Sequence, residues 1–248
     1  MRSLFISDIH LGCKHSKTEE LLTFLKTIKD SDLPEKIFLV GDIIDGWRLK
    51  RNWFWDSNCT KVIRMLMTFS KKGVQIIYIA GNHDEFLRAF LPEIEDKFFG
   101  FKFVDSYIHE TKEGEKVLVI HGDQFDATIK HAKWICVLGD IGYSFLLSIN
   151  GYLDWIWRKC FRCRKRWSLS KAAKANVKSA ISFIAKFEEL LTRHAAKEGC
   201  SSVICGHIHT PDIKDINGVK YLNTGDWVES CSAITENDDG KFELVHFE

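Results

Sequence analysis

Short apolar runs that stop at a small or polar residue recur along the chain. Ile37 to Val40 ends at Gly41 and Asp42. Leu4 to Ile6 passes through Ser7 into Asp8-Ile9-His10, and Ile76 to Ala80 leads into Gly81-Asn82-His83-Asp84. Val117 to Ile120 leads into His121-Gly122-Asp123, and Val203 to Cys205 into Gly206-His207-Ile208-His209. Continuous apolar runs of this length read as strands buried on both faces. Each delivers Asp, His or Asn to the loop beyond its carboxyl end, the rim where open α/β sheets bind ligands. Between the runs the period turns helical. Leu21, Leu22, Leu25 and Ile28 predict a helix over Thr18 to Lys29, capped by Thr18. Val62, Met65, Leu66 and Phe69 predict another over Asn58 to Ser70.

The remaining elements follow from the same pattern. Strands are expected over Arg2 to Ser7, Lys36 to Val40 and Gln75 to Ala80, and helical pieces over Glu85 to Phe99 around Pro92. Lys102 to Glu110 and Lys116 to Ile120 read as a hairpin turning at Glu113-Gly114. Strands ending at Cys205, Asp215 and Asn223, with one after Ser230, read as a second sheet. Asn217-Gly218 and Asp239-Gly240 read as two-residue turns. The fold class expected is α/β: two packed mixed β-sheets flanked by helices. One domain covers residues 1–248, interrupted by a helical cap at about residues 126–199. That insertion includes a helix over Asn176 to Leu191, whose apolar face is Val177, Ile181, Ile184, Phe187 and Leu191. Residues 132–157 are rich in Trp, Leu, Ile and Phe. They are long enough to span a bilayer, but Asp140, Asn150 and Asp154 lie inside. A central Asp costs about 2.5–3.5 kcal/mol on insertion scales. A cap over the site, or a helix at a membrane surface, fits better.

Composition narrows the picture further. The chain has 248 residues, 45% of them hydrophobic, and a net charge of +1, which excludes a polyanion binder acting by bulk charge. Yet nine Lys or Arg and no acidic residue lie between Arg158 and Lys178. The eight cysteines do not suit a disulfide scaffold in a chain this large, so reduced thiols are expected. Cys160 and Cys163 form a lone pair without a matching second pair. No secretory signal is visible, and a cytoplasmic location is expected. Trp47 to Trp55 interleaves aromatic and basic residues.

Asp, His and Asn are hard and borderline ligands for divalent metal. One cation would take Asp8, His10, Asp42 and one of the late histidines. A second would take Asp42, Asn82, His121 and the other. A bridging carboxylate holds two cations about 3.5–4 Å apart, so both can touch one phosphoryl group and a shared water. His15, His109, His131, His194 and His246 read as ordinary polar residues.

Asp8-x-His10, Gly41-Asp42-x-x-Asp45, Gly81-Asn82-His83-Asp84, His121-Gly122-Asp123 and Gly206-His207-x-His209, in this order, resemble the motif set of the calcineurin-like metallophosphoesterase superfamily. The resemblance covers residues 3 to 227 apart from the insertion. It implies a β-sandwich flanked by helices and metal-dependent hydrolysis of phosphoric esters. It also implies that His209 joins the first metal and His207 the second. His83 would stabilise the phosphoryl oxygens or protonate the leaving group, with Asp84 behind it to orient the ring. Asp45 and Asp123 would be supports behind the ligands or plain loop residues. Asp226, in Asn223-Thr-Gly-Asp-Trp227, would contact a ligand or brace the site.

The metal motifs, the helical insertion and the late Asn-x-Gly-Asp-Trp segment resemble the UDP-2,3-diacylglucosamine diphosphatase family of lipid A biosynthesis. That resemblance implies pyrophosphate cleavage to UMP and 2,3-diacylglucosamine 1-phosphate with two Mn2+, other divalent metals being allowed. It implies a nucleotide-sugar-lipid substrate touched by Asn82, His83, Trp47, Arg48 and Asp226. It further implies a peripheral place on the inner membrane, and no nucleic-acid partner. A Trp-rich cap also suits a homodimer contact. One departure stands out: members of that family carry arginine where this chain has His83, which points to a sister branch with a related glycolipid or another phosphodiester. The alternative on the same centre is a nuclease or nucleotide phosphodiesterase, which the apolar cap disfavours. A non-catalytic scaffold would tend to lose the histidine beside the motif asparagine, and His83 is present.

Overall fold

The computed structural model describes residues 1–90, 100–126 and 169–247. Two compact units emerge, Met1–Asp123 with Leu191–Glu248, and Gln124–Leu190. The first holds both sheets. Strands β1 (Ser3–Ile6), β2 (Lys36–Val40), β3 (Gln75–Ile79) and β4 (Phe101–Val104) run parallel, with β10 (Ser232–Glu236) antiparallel beside β1 and β11 (Phe242–His246) beyond it. Parallel neighbours need long crossovers, and helices α1 (Thr18–Thr27), α2 (Gly46–Arg51) and α3 (Ser57–Lys71) lie in them. The second sheet has the order β5 (Ser106–Glu110), β6 (Lys116–Ile120), β7 (Ser202–Cys205), β9 (Val219–Asn223), β8 (Asp212–Ile216), with β6, β7 and β9 parallel. Helix α4 (Leu169–Lys197) precedes β7.

The apolar runs form two layers, as strands buried on both faces require. Phe5, Phe38, Val40, Ile77 and Ile79 from the first sheet meet Val117, Val119, Ile204 and Leu222 from the second. On the other face of the first sheet, Leu4, Ile6, Ile37, Leu39 and Ile76 join Leu21, Leu25, Val62, Leu66 and Phe69 from α1 and α3. Phe5 and Phe38 stack at 4.6 Å between the sheets. The expected pair of mixed sheets with flanking helices is therefore what the chain builds.

Several local expectations are corrected. Thr18 does not cap α1: the cap position is Lys17, with no side-chain bond, and Thr18 is itself helical and buried. Residues 102–110 are not one hairpin arm. The chain breaks at Asp105, so β4 joins the first sheet and β5 the second. The strand after Ser230 is β10, which pairs with β1 rather than with the second sheet. Its buried Glu236 accepts from Arg2 and lies 2.7 Å from His109 Nε2 of β5, a polar tie between the sheets. Asn217-Gly218 does make the tight turn, both residues having positive φ and Ile216 facing Val219. Asp239-Gly240 instead belongs to a longer loop, because the Asn237 side chain accepts from the Asp239 and Lys241 amides. Helix α4 outruns the predicted Asn176–Leu191 at both ends.

Cys13, Cys59, Cys200, Cys205 and Cys231 are buried and none of them is in a disulfide. No described helix is long and apolar enough to cross a membrane. The apolar stretch 132–157, Cys160, Cys163 and the basic run up to residue 168 lie outside the described residues, as do residues 91–99 around Pro92.

Candidate metal centre

All the parallel strands that carry motif residues end on one rim of the first unit. Asp8 and His10 leave β1, Asp42 leaves β2, Asn82 leaves β3, His121 leaves β6, and His207 and His209 leave β7. Three groups of side chains approach closely enough to share an ion: Asp8, His10 and His209; Asp42, His121 and His207; and His10, Asp45 and His83. His209 Nε2 lies 3.1 Å from Asp8 Oδ1, and His10 Nε2 lies 3.8 Å from the same oxygen. Asp42 faces both ways, with Oδ1 3.4 Å from His121 Nε2 and Oδ2 3.9 Å from His10 Nε2. That is the posture of a bridging carboxylate.

Under-bonded atoms mark where the site points. Asp8 Oδ1, His10 Nε2, Asn82 Oδ1 and His121 Nε2 are buried polar atoms without a well-formed hydrogen bond, Asp8 Oδ1 and His121 Nε2 having only the close approaches of His209 and Asp42. Groups of this kind are costly to bury unless something binds them. Four of them on one rim, all oxygen or imidazole donors, fit the binding of divalent metal. The close packing also requires glycine. A Cβ at Gly81 would strike the Asp42 carboxylate, and one at Gly206 would strike Asp8 Oδ2 and Ser7 Oγ.

Behind the ligands lies a shell of supports. His121 Nδ1 is 2.9 Å from the Val40 carbonyl, which leaves Nε2 as the free lone pair. Ser7 Oγ lies against Asp8 Oδ2, 2.6 Å from Thr224 Oγ1 and 3.0 Å from the Gly225 carbonyl. The His207 amide donates to Asp8 Oδ2 at 3.0 Å, and the His83 amide to Asp42 Oδ1 at 2.8 Å. Asp45 lies 3.0 Å from His83 Nδ1 and 3.5 Å from His10 Nδ1, and it caps α2 through the Arg48 amide.

Two expected roles change. Asp84 does not reach behind His83. Its carboxylate accepts from Tyr78, from the Ile43 amide and from the Gly81 amide, so it shapes the loop while Asp45 holds the ring. Asp226 is buried and spent on the Val228 and Glu229 amides and on Ser230, with Oδ2 3.9 Å from His209 Nδ1. It braces a ligand and offers no open oxygen to a substrate. Asp123 pairs with Arg88. Trp47 lies over His83, ring centroids 4.3 Å apart, and its Nε1 donates to Glu85 at 3.2 Å. Arg48 Nε is 3.4 Å from Asp45, and most of its side chain is exposed. Sequence reasoning missed Ser7, Thr224, Tyr78 and Arg88: Ser7 and Thr224 lie next to or inside the quoted motifs but meet only across 217 residues, and Tyr78 and Arg88 stand in no motif spacing.

The charges lean on one another. Burial alone would lower the His121 pKa, but Asp42 and Asp8 push it up to about 10. His209 is raised to about 9, against burial, by Asp8 and Asp226. Burial would raise Asp42, yet His121 and His10 hold it down to about 2, and Asp8 is held lower still by His209. His83 is raised against burial by Asp45 and Asp42. The rim thus combines ionised carboxylates with imidazoles whose protons a cation would displace.

A family model described as Calcineurin-like phosphoesterase matches residues 1–211. A UDP-2,3-diacylglucosamine hydrolase from Vibrio parahaemolyticus is 28% identical over 264 residues, covering 98% of this chain and 97% of its own length. A protein of the same name from Neisseria gonorrhoeae is 27% identical, covering 95% of this chain and 94% of its own. Among solved structures, a Vps29 single mutant from Entamoeba histolytica aligns over 100% of both chains with a TM-score of 0.47 and 14% identity.

Proposed function

The chain belongs to the calcineurin-like phosphoesterase family, and from that premise we propose that it is a two-metal hydrolase cleaving UDP-2,3-diacylglucosamine to UMP and 2,3-diacylglucosamine 1-phosphate. The observation that carries the metal chemistry is the presence on one rim of four buried polar atoms, of Asp8, His10, Asn82 and His121, that lack a well-formed hydrogen bond, beside carboxylate–imidazole groups close enough to share an ion. Relatives that match this chain nearly end to end and bear that substrate in their names support the substrate.

In this reading Asp8, His10, Asp42 and His209 hold one cation, and Asp42, Asn82, His121 and His207 the other. Bound divalent cations polarise phosphoryl oxygens and make hydroxide available near neutral pH. The chain's own residues do the rest. Asp45 fixes His83 by its Nδ1 and turns Nε2 towards Asp42 Oδ2, 3.9 Å away, where the phosphoryl group must lie. Protonated His83 then stabilises the phosphoryl oxygens or gives its Nε2 proton to the departing oxygen. Trp47 restricts the ring's swing and roofs the approach.

Manganese is the cation proposed, and the inner face of a cytoplasmic membrane the place of work. Trp53 is 75% exposed and Trp47 47% exposed, beside exposed Arg48, Lys50 and Arg51. Aromatic rings among cations suit an anionic bilayer surface. The insertion at about residues 126–199 is proposed as the cap that receives acyl chains. The test is UMP release from UDP-2,3-diacylglucosamine by purified protein with and without Mn2+. Rapid metal-dependent release is expected. No release, with turnover of a soluble aryl phosphodiester retained, would move the protein to a sister substrate, the reading that His83 in place of arginine favours.

A further inference from the structure

Arg88 is not one of the motif residues, yet its guanidinium reaches three separate points of the frame around the second metal set. Nη2 donates to the Ala80 carbonyl at 2.8 Å. Nη1 and Nη2 make a bidentate pair with Asp123 at 2.8 and 2.9 Å. Nε donates to Asp105 at 3.0 Å. Ala80 leads directly into Gly81 and Asn82 at the end of β3. Asp123 follows His121 and Gly122 at the end of β6. Asp105 is the residue at which the chain leaves the first sheet for the second.

These three points share one geometric problem. Asn82 stands on the six-stranded sheet and His121 on the five-stranded one, and both must aim at the same ion. Sheet-on-sheet packing between them is largely apolar, and the polar contacts across it, His109 with Glu236 and His121 Nδ1 with the Val40 carbonyl, do not touch the Asn82 loop. A planar guanidinium with five donors in a fixed fork can set a register between the two loop tips. The Asp123 carboxylate is nearly buried, so the bidentate pair is both strong and directional.

We propose that Arg88 is a positioning residue for the second metal, a clasp that holds the Asn82 loop and the His121 loop in register across the two sheets. Asp8, His10 and His209 make no hydrogen bond to Arg88 or Asp123, and only the shared Asp42, through the His83 amide, ties the first set to the clasped loop, so the first metal depends on the clasp less than the second. The proposal rests on the two-metal reading above.

The experiment is Mn2+ titration of the purified full chain by calorimetry, with the exchange-coupled Mn2+ pair read by electron paramagnetic resonance. In Arg88→Ala, the weaker-binding equivalent should lose about 10–100-fold in affinity, the usual effect of removing a support behind a ligand. The tighter equivalent should weaken by less than that range, because only the shared Asp42 links its set to the Asn82 loop. The coupled spectrum should give way to that of isolated ions. Arg88→Lys keeps the charge but cannot span three partners, so it should resemble Arg88→Ala. The double variant Arg88→Ala/Asp123→Asn removes the unpaired carboxylate that would threaten folding. Persistence of the defect there supports the clasp, and recovery of normal second-site affinity overturns it. Equal weakening of both sites in Arg88→Ala would also overturn it, as the mark of general destabilisation. Wild-type protein binding fewer than two Mn2+ would instead defeat the two-metal reading itself.

Discussion

Metal binding by this chain should expel protons, and the number follows from the charges at the rim. His209 is raised to about 9 and His121 to about 10, from an ordinary 6.5. At pH 7 both imidazoles are protonated in the metal-free protein, and a metal can bind each only after its proton leaves. Proton competition therefore weakens binding by about 100-fold at the His209 site and about 1000-fold at the His121 site relative to high pH. Each affinity should climb about tenfold per pH unit and level off near pH 9 and 10, respectively. Titration of Mn2+ in buffers of different ionisation enthalpy counts the protons directly, and about two should leave for two metals at pH 7. Thermal unfolding gives an independent check. A folded-state pKa raised above the unfolded value stabilises fully below the unfolded value and fades as pH rises through the folded one. The metal-free protein should hold this stabilisation fully below pH 6.5 and lose it progressively from there, the last of it as pH passes about 9 and then about 10, while the Mn2+-saturated protein should not. Proton release near zero at pH 7, or affinities flat from pH 7 to 8, would refute the reasoning.

Three further outcomes are expected. Asp42→Ala should abolish Mn2+-dependent phosphodiester turnover and leave fewer than two metals bound, because one carboxylate faces both sets; full activity with Mn2+ supplied would contradict it. Asp45→Asn keeps the helix cap but removes the charge beside His83, so the alkaline fall in the pH–rate profile should move to lower pH, a change that metal stoichiometry alone would not show. Glu236→Ala leaves His109 and Arg2 without their shared carboxylate and should cost about 3–5 kcal/mol. Because the Glu236 pKa is lowered, its contribution is present above 4.5 and lost as pH falls below that; Glu236→Gln should flatten this acid loss in thermal melts.

How much of this was legible beforehand depends on whether a feature is local. Strand ends, and the Asp, His and Asn just beyond them, are neighbours in sequence, so five apolar runs were enough to set the motif residues on one rim. The contacts behind them are not local. Arg88 and Asp123 are 35 residues apart, and Ser7 and Thr224 are 217 apart. Neither pair has a periodicity to betray it. Asp84 was misassigned because adjacency to His83 suggested contact. The loop turns its carboxylate back onto Tyr78 and Gly81, and the ring falls to Asp45 from another strand end. The move of β10 into the first sheet was hidden for a similar reason: hairpin signals pair consecutive strands, and only the open edge of β1 draws this one away.

The rim also explains why so many ligands sit on so short a stretch of loop. Asp8, His10, Asp42, His207 and His209 all have φ between 50 and 71°, the left-handed region that side chains other than Gly, Asn and Asp seldom enter. Each such residue costs about 1–2 kcal/mol, so the arrangement survives only where neighbouring bonds hold it. Those bonds are present. The Asp8 amide donates to the Gly41 carbonyl, the His10 amide to the Asp42 carbonyl and the Leu11 amide to the Ile43 carbonyl, so the two strained loops extend the ladder of β1 and β2 past its end. The parallel sheet thus supplies rigid strand ends, and the strain at those ends aims the side chains at one another. The Asp42 carboxylate can face two sets of donors because one flanking loop is locked to its backbone carbonyl through the His10 amide and the other to its Oδ1 through the His83 amide.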